Sequence, residues 1–317
     1  MGQQEKVYIT GPQGLISSAL QRVLQSQGYT NIIVRTQGEL NLLDDGAVAD
    51  FFKSEKPDYV FLTSYKSASI QENIAHPAEF IYENSVVQNN IIHNAYLNKV
   101  KKLLFLGASC VYPKNSLQPI REEYLLTGEL ESTSEAYAVA KIAGIKMCQA
   151  YNKQYGTKFI SLVPATLYGP GDSFDPEKSH VLSAMIRKFH EAKINNQKEV
   201  VLWGTGAPRR EFLYVDDLSD TCIFIMNNNI SFDLINVGTG TDITIKELAE
   251  KIKEITNFQG EIMWDNSKPD GAKQKLLDAG RLRSLGWNPK IELEEGLKIT
   301  YQRLSENYNE IIRNPKK

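Results

Sequence analysis

The sequence predicts an α/β fold in which a doubly wound parallel sheet is followed by a smaller C-terminal α/β lobe. Three observations predict it. Apolar runs of a few residues recur through the first half of the chain, segments of helical period separate them, and a glycine turn follows the first run. Strands buried on both faces read as continuous apolar runs, and their alternation with helices is the pattern of a sheet covered on both sides.

Val7-Tyr8-Ile9-Thr10 reads as the first strand, ending at Gly11, and a helix follows from about Gly14 to Gln27. Ile32-Ile33-Val34 is the second strand, and a helix over Asp45–Ser54 leads to the third, Tyr59-Val60-Phe61-Leu62. A long helix over roughly Pro77–Asn98 precedes Lys102–Leu106, and another over Glu135–Tyr155 precedes Phe159–Val163. Such sheets bind ligands beyond the carboxyl ends of their strands, so functional residues are expected just after each one. Beyond Val163 the regularity weakens. Tyr168 through Asp172 is a loop, Val181–Ala192 a helix and Glu211–Val215 a strand. A further helix runs from Asp216 to about Met226, and Thr244–Ile255 is an amphipathic one. The first domain is expected over 1–165, recovering a segment at about 208–230, with 166–317 forming mainly the second lobe.

A chain of 317 residues buries a substantial core without disulfides or metals. Its formal net charge of −2 gives no electrostatic case for nucleic acid or an anionic membrane as partner. No apolar run approaches the length of a membrane span, and no targeting segment is expected. Cys110, Cys148 and Cys222 are scattered without a CxxC pair, which implies reduced thiols in a cytoplasm. With four histidines, a His-based metal site is not expected.

Gly11-Pro12-Gln13-Gly14-Leu15-Ile16-Ser17 joins the first strand to the first helix. Glycines there permit a tight turn and close approach of the backbone to a pyrophosphate, which the helix N-terminus stabilises. This is the arrangement of a Rossmann-type dinucleotide fold, with Gly11, Gln13, Gly14, Leu15 and Ile16 as cofactor contacts and Ser17 where a third glycine is common. An acid at the end of the second strand would bind the ribose hydroxyls of NAD. The chain has Arg35-Thr36-Gln37 instead, so NADP(H) is favoured over NAD(H), although Arg35 also reads as a solvated surface residue. Asn84 either reaches the cofactor or satisfies a backbone group.

Tyr137-Ala138-Val139-Ala140-Lys141 places a phenol and an amine four apart on one helical face. A lysine ammonium lowers the phenol's pKa and bonds a cofactor ribose. The phenol then donates a proton to a carbonyl oxygen as hydride reaches its carbon.

At this point the residues carry a resemblance. Glu39 through Asp44, Lys102 through Gly107, Ser109 through Pro113, Tyr137 through Ile145, Leu167 through Pro170, Ser179-His180-Val181, Arg210 through Leu213 and Ser267 through Gly271 together resemble the GDP-L-fucose synthase family of the extended short-chain dehydrogenases/reductases. The resemblance implies NADPH-dependent reduction at C4 of a GDP-linked 4-keto-6-deoxy sugar, with inversion at C3 and C5. A reductase of another GDP-4-keto sugar, such as a heptose, is the alternative. It implies Cys110 and His180 as the epimerisation pair, where each residue alone reads equally as a buried thiol and a helix-start histidine. Ser109, beside Cys110, is a further catalytic candidate. Leu40, Asn41, Leu42, Thr63, Ser64, Leu106, Gly107, Lys141, Pro164, Thr166 and His180 are further cofactor contacts. Lys188, Trp203, Arg210 and Asp270 become contacts to the nucleotide sugar. A homodimer pairing the Pro77–Asn98 and Glu135–Tyr155 helices is implied as well.

The chain departs from the family where Ala108 replaces a catalytic serine, and where Gln13 and Gln37 replace arginines that hold a 2′-phosphate. Thr166 stands for an asparagine, and Thr63 through Ser69 replaces a smaller Ala/Gly-rich stretch.

Overall fold

The computed structural model describes residues 1–11, 14–63, 66–67, 69–175, 179–268 and 270–313. The first half runs β1 (Val7–Ile9), α1 (Leu15–Ser26), β2 (Ile32–Ile33), α2 (Asp45–Glu55), β3 (Tyr59–Leu62), α3 (Ile70–Ala75), α4 (Pro77–Leu97), β4 (Lys102–Leu106), α5 (Glu135–Tyr155) and β5 (Phe159–Pro164). Helix limits follow local chemistry. Asp44 caps α2 by accepting from the Ala47 amide at 3.0 Å. Pro77 opens α4, where its missing N–H costs nothing, and Gly156 closes α5 at φ 66°.

The second half is more broken: β6 (Thr166–Tyr168), α6 (Val181–Ile194), β7 (Glu199–Trp203), β8 (Arg209–Arg210), β9 (Phe212–Tyr214), α7 (Val215–Asn227), β10 (Leu234–Val237), β11 (Ile243–Thr244), α8 (Ile245–Thr256), β12 (Glu261–Asp265), β13 (Gln274–Lys275), α9 (Gly280–Ser284) and α10 (Leu293–Arg313). A reciprocal Thr244–Glu247 capping box starts α8.

Among the described residues six strands form one sheet in the order β10-β5-β4-β3-β1-β2, every pair parallel. The register aligns Ile9 with Phe61, Phe61 with Leu104 and Leu104 with Ile160, so the carboxyl ends of β1, β3, β4 and β5 lie side by side. Helices cover both faces, as the continuous burial of β1, β3, β5 and β10 requires.

Among the described residues two apolar cores result. One is built on the sheet; the other joins α6, α8 and α10 with Val200, Leu202, Phe212 and Tyr214. The short sheets β11-β8-β13, β12-β7 and β6-β9 frame the second. The segment expected to return at about 208–230 behaves in two parts. Arg209 and Arg210 belong to a short sheet, whereas α7 packs on α1 and β10, beyond that range, completes the large sheet beside β5. The strand expected at Glu211–Val215 is Phe212–Tyr214, because Val215 already opens α7. No described helix is long and apolar enough to cross a membrane.

Candidate active site

At the start of α1 the backbone turns through Gly11 (φ 77°) and Gly14 (φ 117°), conformations that L side chains rarely adopt. A β-carbon at Gly14 would meet nothing within 4 Å, and the first turn of α1 holds no acid. The space beside Gly14 at the amide end of α1 suits a pyrophosphate. Gln13 lies outside the described residues. Ser17, in place of the third glycine, is buried and donates to the Thr10 carbonyl at 3.2 Å. Its hydroxyl also meets that of Thr63 at 3.3 Å, and Thr63 donates to the same Thr10 carbonyl at 2.6 Å. A hydroxyl cluster thus packs helix against strands where a glycine would do so by absence of bulk.

Beyond β2, Arg35 does not stand free. It donates to the Glu55 carboxylate at 2.7 Å and lies 5.9 Å from the Phe51 ring centre. Glu39, which the absence of an acid at 35–37 hides, folds back onto Thr36. It accepts from that residue's amide at 2.7 Å and hydroxyl at 2.8 Å, bonds that hold its carboxyl below the usual range. Leu40 and Leu42 are buried, and exposed Asn41 accepts from the Leu43 amide at 3.1 Å. Ser64 lies outside the described residues. Asn84 serves the backbone: it accepts from the Lys66 amide at 3.2 Å and donates to the Lys66 and Phe80 carbonyls.

Leu106 ends β4, and Gly107 donates to the Leu162 carbonyl at 2.8 Å. Gly144 lets α5 approach this point, since a β-carbon there would come within 2.4 Å of the Phe105 ring. That approach seats Lys141, only 2% exposed, with its amine donating to the Leu106 carbonyl at 2.8 Å. Burial pulls the Lys141 pKa down to about 7, with the Cys110 thiol acting the other way. One turn earlier Tyr137 is buried, its ring centre 5.7 Å from the Lys141 nitrogen and edge-on to Phe80.

Ser109 and Cys110 occupy a 3-10 turn (Ser109–Val111) immediately after β4, led by Ala108 in extended conformation. Cys110 is half-buried; burial pushes its thiol up, and Lys275 and Lys141 oppose that. Lys275, on a two-residue strand with no apolar period, carries no signal in the sequence. Pro164 ends the adjoining β5 and Thr166 opens β6, where its amide donates to the Glu211 carbonyl at 3.2 Å. The buried Glu211 carboxylate accepts from the amides of Gly240 at 2.7 Å and Leu277 at 2.9 Å, fixing the loops beside it. His180 is exposed at the N-cap of α6. It is electrostatically linked to Asp172, whose carboxyl burial pushes up while Ser183 and the Ser173 amide donate to it.

Trp203 is 58% exposed at the end of β7, with the Lys188 and Lys268 amines 5.8 and 5.5 Å from its ring centre. An exposed ring with two amines near it suits a stacked base carrying phosphates. Arg210 donates to the carbonyls of Arg209 and Ala272, and Asp270 is already engaged by the Thr205 amide and hydroxyl at 2.9 and 2.7 Å. The two are electrostatically linked. Tyr137, Lys141, Cys110 and Leu106 are therefore one cluster, and Lys188, Trp203, Arg210 and Asp270 belong to a second group around β7, β8 and the 270 turn. Among the described residues no group of three or more His, Cys, Asp or Glu is placed to hold a metal ion.

A profile of the NAD dependent epimerase/dehydratase family matches residues 7–238. A putative GDP-L-fucose synthase of Arabidopsis thaliana is 54% identical over 95% of this chain and 92% of its own. The GDP-L-fucose synthase of Escherichia coli strain K12 is 49% identical over 96% and 98%. A GDP-mannoheptose C4 reductase from Campylobacter jejuni, solved with NADP bound, superposes with a TM-score of 0.89 at 43% identity, covering 96% of this chain and 99% of that one. Identity and coverage of this order, together with a dinucleotide-type sheet and a Tyr137–Lys141 pair at its carboxyl edge, make the chain a member of the NAD dependent epimerase/dehydratase family, with GDP-L-fucose synthases among its full-length relatives.

Proposed function

We propose that the protein reduces C4 of a GDP-linked 4-keto-6-deoxy sugar with NADPH, after inverting C3 and C5. The observation that carries the reading is the buried Lys141 amine held between the Leu106 carbonyl and the Tyr137 ring, beside Cys110. The amides at the start of α1, with Arg35, Leu106, Gly107 and Lys141, would hold the dinucleotide. NADPH bound there supplies the hydride.

Lys141 favours the ionised phenol and steers Tyr137, which gives its proton to the ketone oxygen as C4 is reduced. Before that, the ketone acidifies the protons on C3 and C5; Cys110 removes one and His180 protonates the opposite face. Trp203 stacks on the guanine while Lys188 and Arg210 meet the phosphates. Residues 1–165 with the returning α7 and β10 would carry the cofactor, and the remainder of 166–317 the nucleotide sugar. Exposed Ile81, Tyr82 and Val139 on α4 and α5 support a homodimer through that helix pair, and unpaired cysteines support a cytoplasmic setting.

A second reading, C4 reduction of a GDP-4-keto-heptose without epimerisation, is favoured by Ala108 and by the likeness to the Campylobacter jejuni reductase. Turnover of each candidate in deuterated water separates them. Deuterium at C3 and C5 of the product supports the first reading; reduced product free of deuterium at both removes it.

A further inference from the structure

We infer that Lys275 is a positioning residue for Cys110, supplying a cation beside the Cys110 sulfur that favours its thiolate when the proton leaves. The role of that thiolate as a base rests on the function proposed above; the pairing of the two groups does not.

Lys275 ends β13 in register with Arg210 of β8, and its carbonyl accepts from the Glu211 amide at 3.3 Å. The chain on either side is tied to the loop that follows Cys110. The Leu276 amide donates to the Gln118 side chain at 2.8 Å, and the Ile120 amide donates to the Leu276 carbonyl at 2.7 Å. Ser109, Cys110, Gln118, Glu131, Gln274 and Lys275 consequently line one narrow cavity of about 20 Å³. The charged and titratable groups that act on Lys275 there are Cys110, Arg210 and Glu131; those that act on Cys110 are Lys275 and Lys141. Burial disfavours both charged forms, pushing the thiol up and the amine down; each charge opposes that effect on the other, and burial is the larger of the two. Lys141 is less free for this task, because its amine is bonded to Leu106 and serves Tyr137.

In the step this pair would support, the C–H bond beside the ketone breaks and its proton passes to the Cys110 sulfur. The electron pair moves into the enolate, whose oxygen is the former ketone oxygen. His180 protonates that carbon from the other face and restores the ketone, and the proton on Cys110 returns to His180 through solvent. Lys275 faces a neutral sulfur in between.

The test is the pH dependence of iodoacetamide alkylation at Cys110 in the full chain, followed by intact mass. A Cys110→Ala variant serves as blank, since Cys148 and Cys222 are buried. Lys275→Met is expected to raise the alkylation midpoint by about one pH unit and slow the reaction roughly tenfold at pH 8, whereas Lys275→Arg keeps both near the unmodified protein. Lys275→Gln replaces the Met variant if that one is insoluble. An unchanged midpoint in the neutral variant overturns the inference. No sugar is needed for this readout, so a shifted midpoint in a protein that exchanges no deuterium into any GDP-keto sugar upholds the pairing and removes the epimerisation reading instead.

Discussion

The Lys141 amine lies 5.7 Å from the centre of the Tyr137 ring, one turn along α5, while donating to the Leu106 carbonyl at 2.8 Å. The strand end thus fixes the lysine, and the lysine faces the phenol. Tyr137→Phe is expected to lower kcat by about 10²–10⁴, the range for loss of a positioned proton donor. NADPH titration by fluorescence distinguishes the causes: collapse of cofactor affinity, rather than of turnover, would assign Tyr137 to binding.

Lys141 also makes stability depend on pH. Its pKa falls from 10.5 to about 7 because the charged amine is desolvated. The unfolded chain then binds the proton more readily, so between about 7 and the ordinary lysine range rising pH favours the folded state. Below about 7 the penalty is complete, on the order of a few kcal/mol. Lys141→Met should therefore raise Tm of the cofactor-free protein most at pH 6, with the gain shrinking toward pH 10. A gain independent of pH would contradict this.

Arg35, paired with Glu55, is the residue proposed to meet a 2′-phosphate of the cofactor. A guanidinium–phosphate bond contributes about 1.5–3 kcal/mol. Arg35→Ala should weaken NADPH binding roughly tenfold to a hundredfold and leave NADH within about twofold. Glu55→Gln, which releases the guanidinium, should strengthen NADPH binding. Equal losses for both cofactors on Arg35→Ala would show that the ion pair with Glu55 is structural.

Trp203 is exposed, with the Lys188 and Lys268 amines near its ring. Stacking of a base on an aromatic ring is worth about 1–3 kcal/mol. Trp203→Ala should reduce GDP affinity by about ten- to a hundredfold by calorimetry, with NADPH affinity retained. A loss confined to NADPH would place the nucleotide sugar elsewhere.

Ala108 precedes the turn bearing Cys110, where the resemblance calls for a hydroxyl on the reacting carbonyl. One such donor is worth about 10²–10³ in rate. Ala108→Ser should raise kcat on a GDP-4-keto-6-deoxy sugar; a fall would mean that the pocket is fitted to a different substrate.

The large sheet was legible because its strands are buried on both faces and read as unbroken apolar runs; β3, β4 and α5 appear at or within a residue of their expected limits. The strand β10, Leu-Ile-Asn-Val, was not, since a polar Asn236 interrupts it; in the fold that side chain accepts from Tyr112 at 2.6 Å and donates to the Ile120 carbonyl at 2.9 Å. The two-residue strands β8, β11 and β13 are too short to show a period. Tyr137 and Lys141 could be paired from helical spacing alone. Lys275, Glu211 and Glu55 could not: Lys275 and Glu211 meet groups far away in the sequence, and Glu55 meets Arg35 and Lys6 only once α2 has packed beside the sheet.

Placing β10 beside β5 has a consequence for synthesis. The ribosome must release more than two hundred residues before Val237 can dock. Until then the growing chain carries Phe159–Pro164 with one row of amides and carbonyls unpaired, a surface prone to join other chains. Fragments stopped near residue 165 should accordingly accumulate as aggregates, and those extended past α7 and β10 should gain solubility.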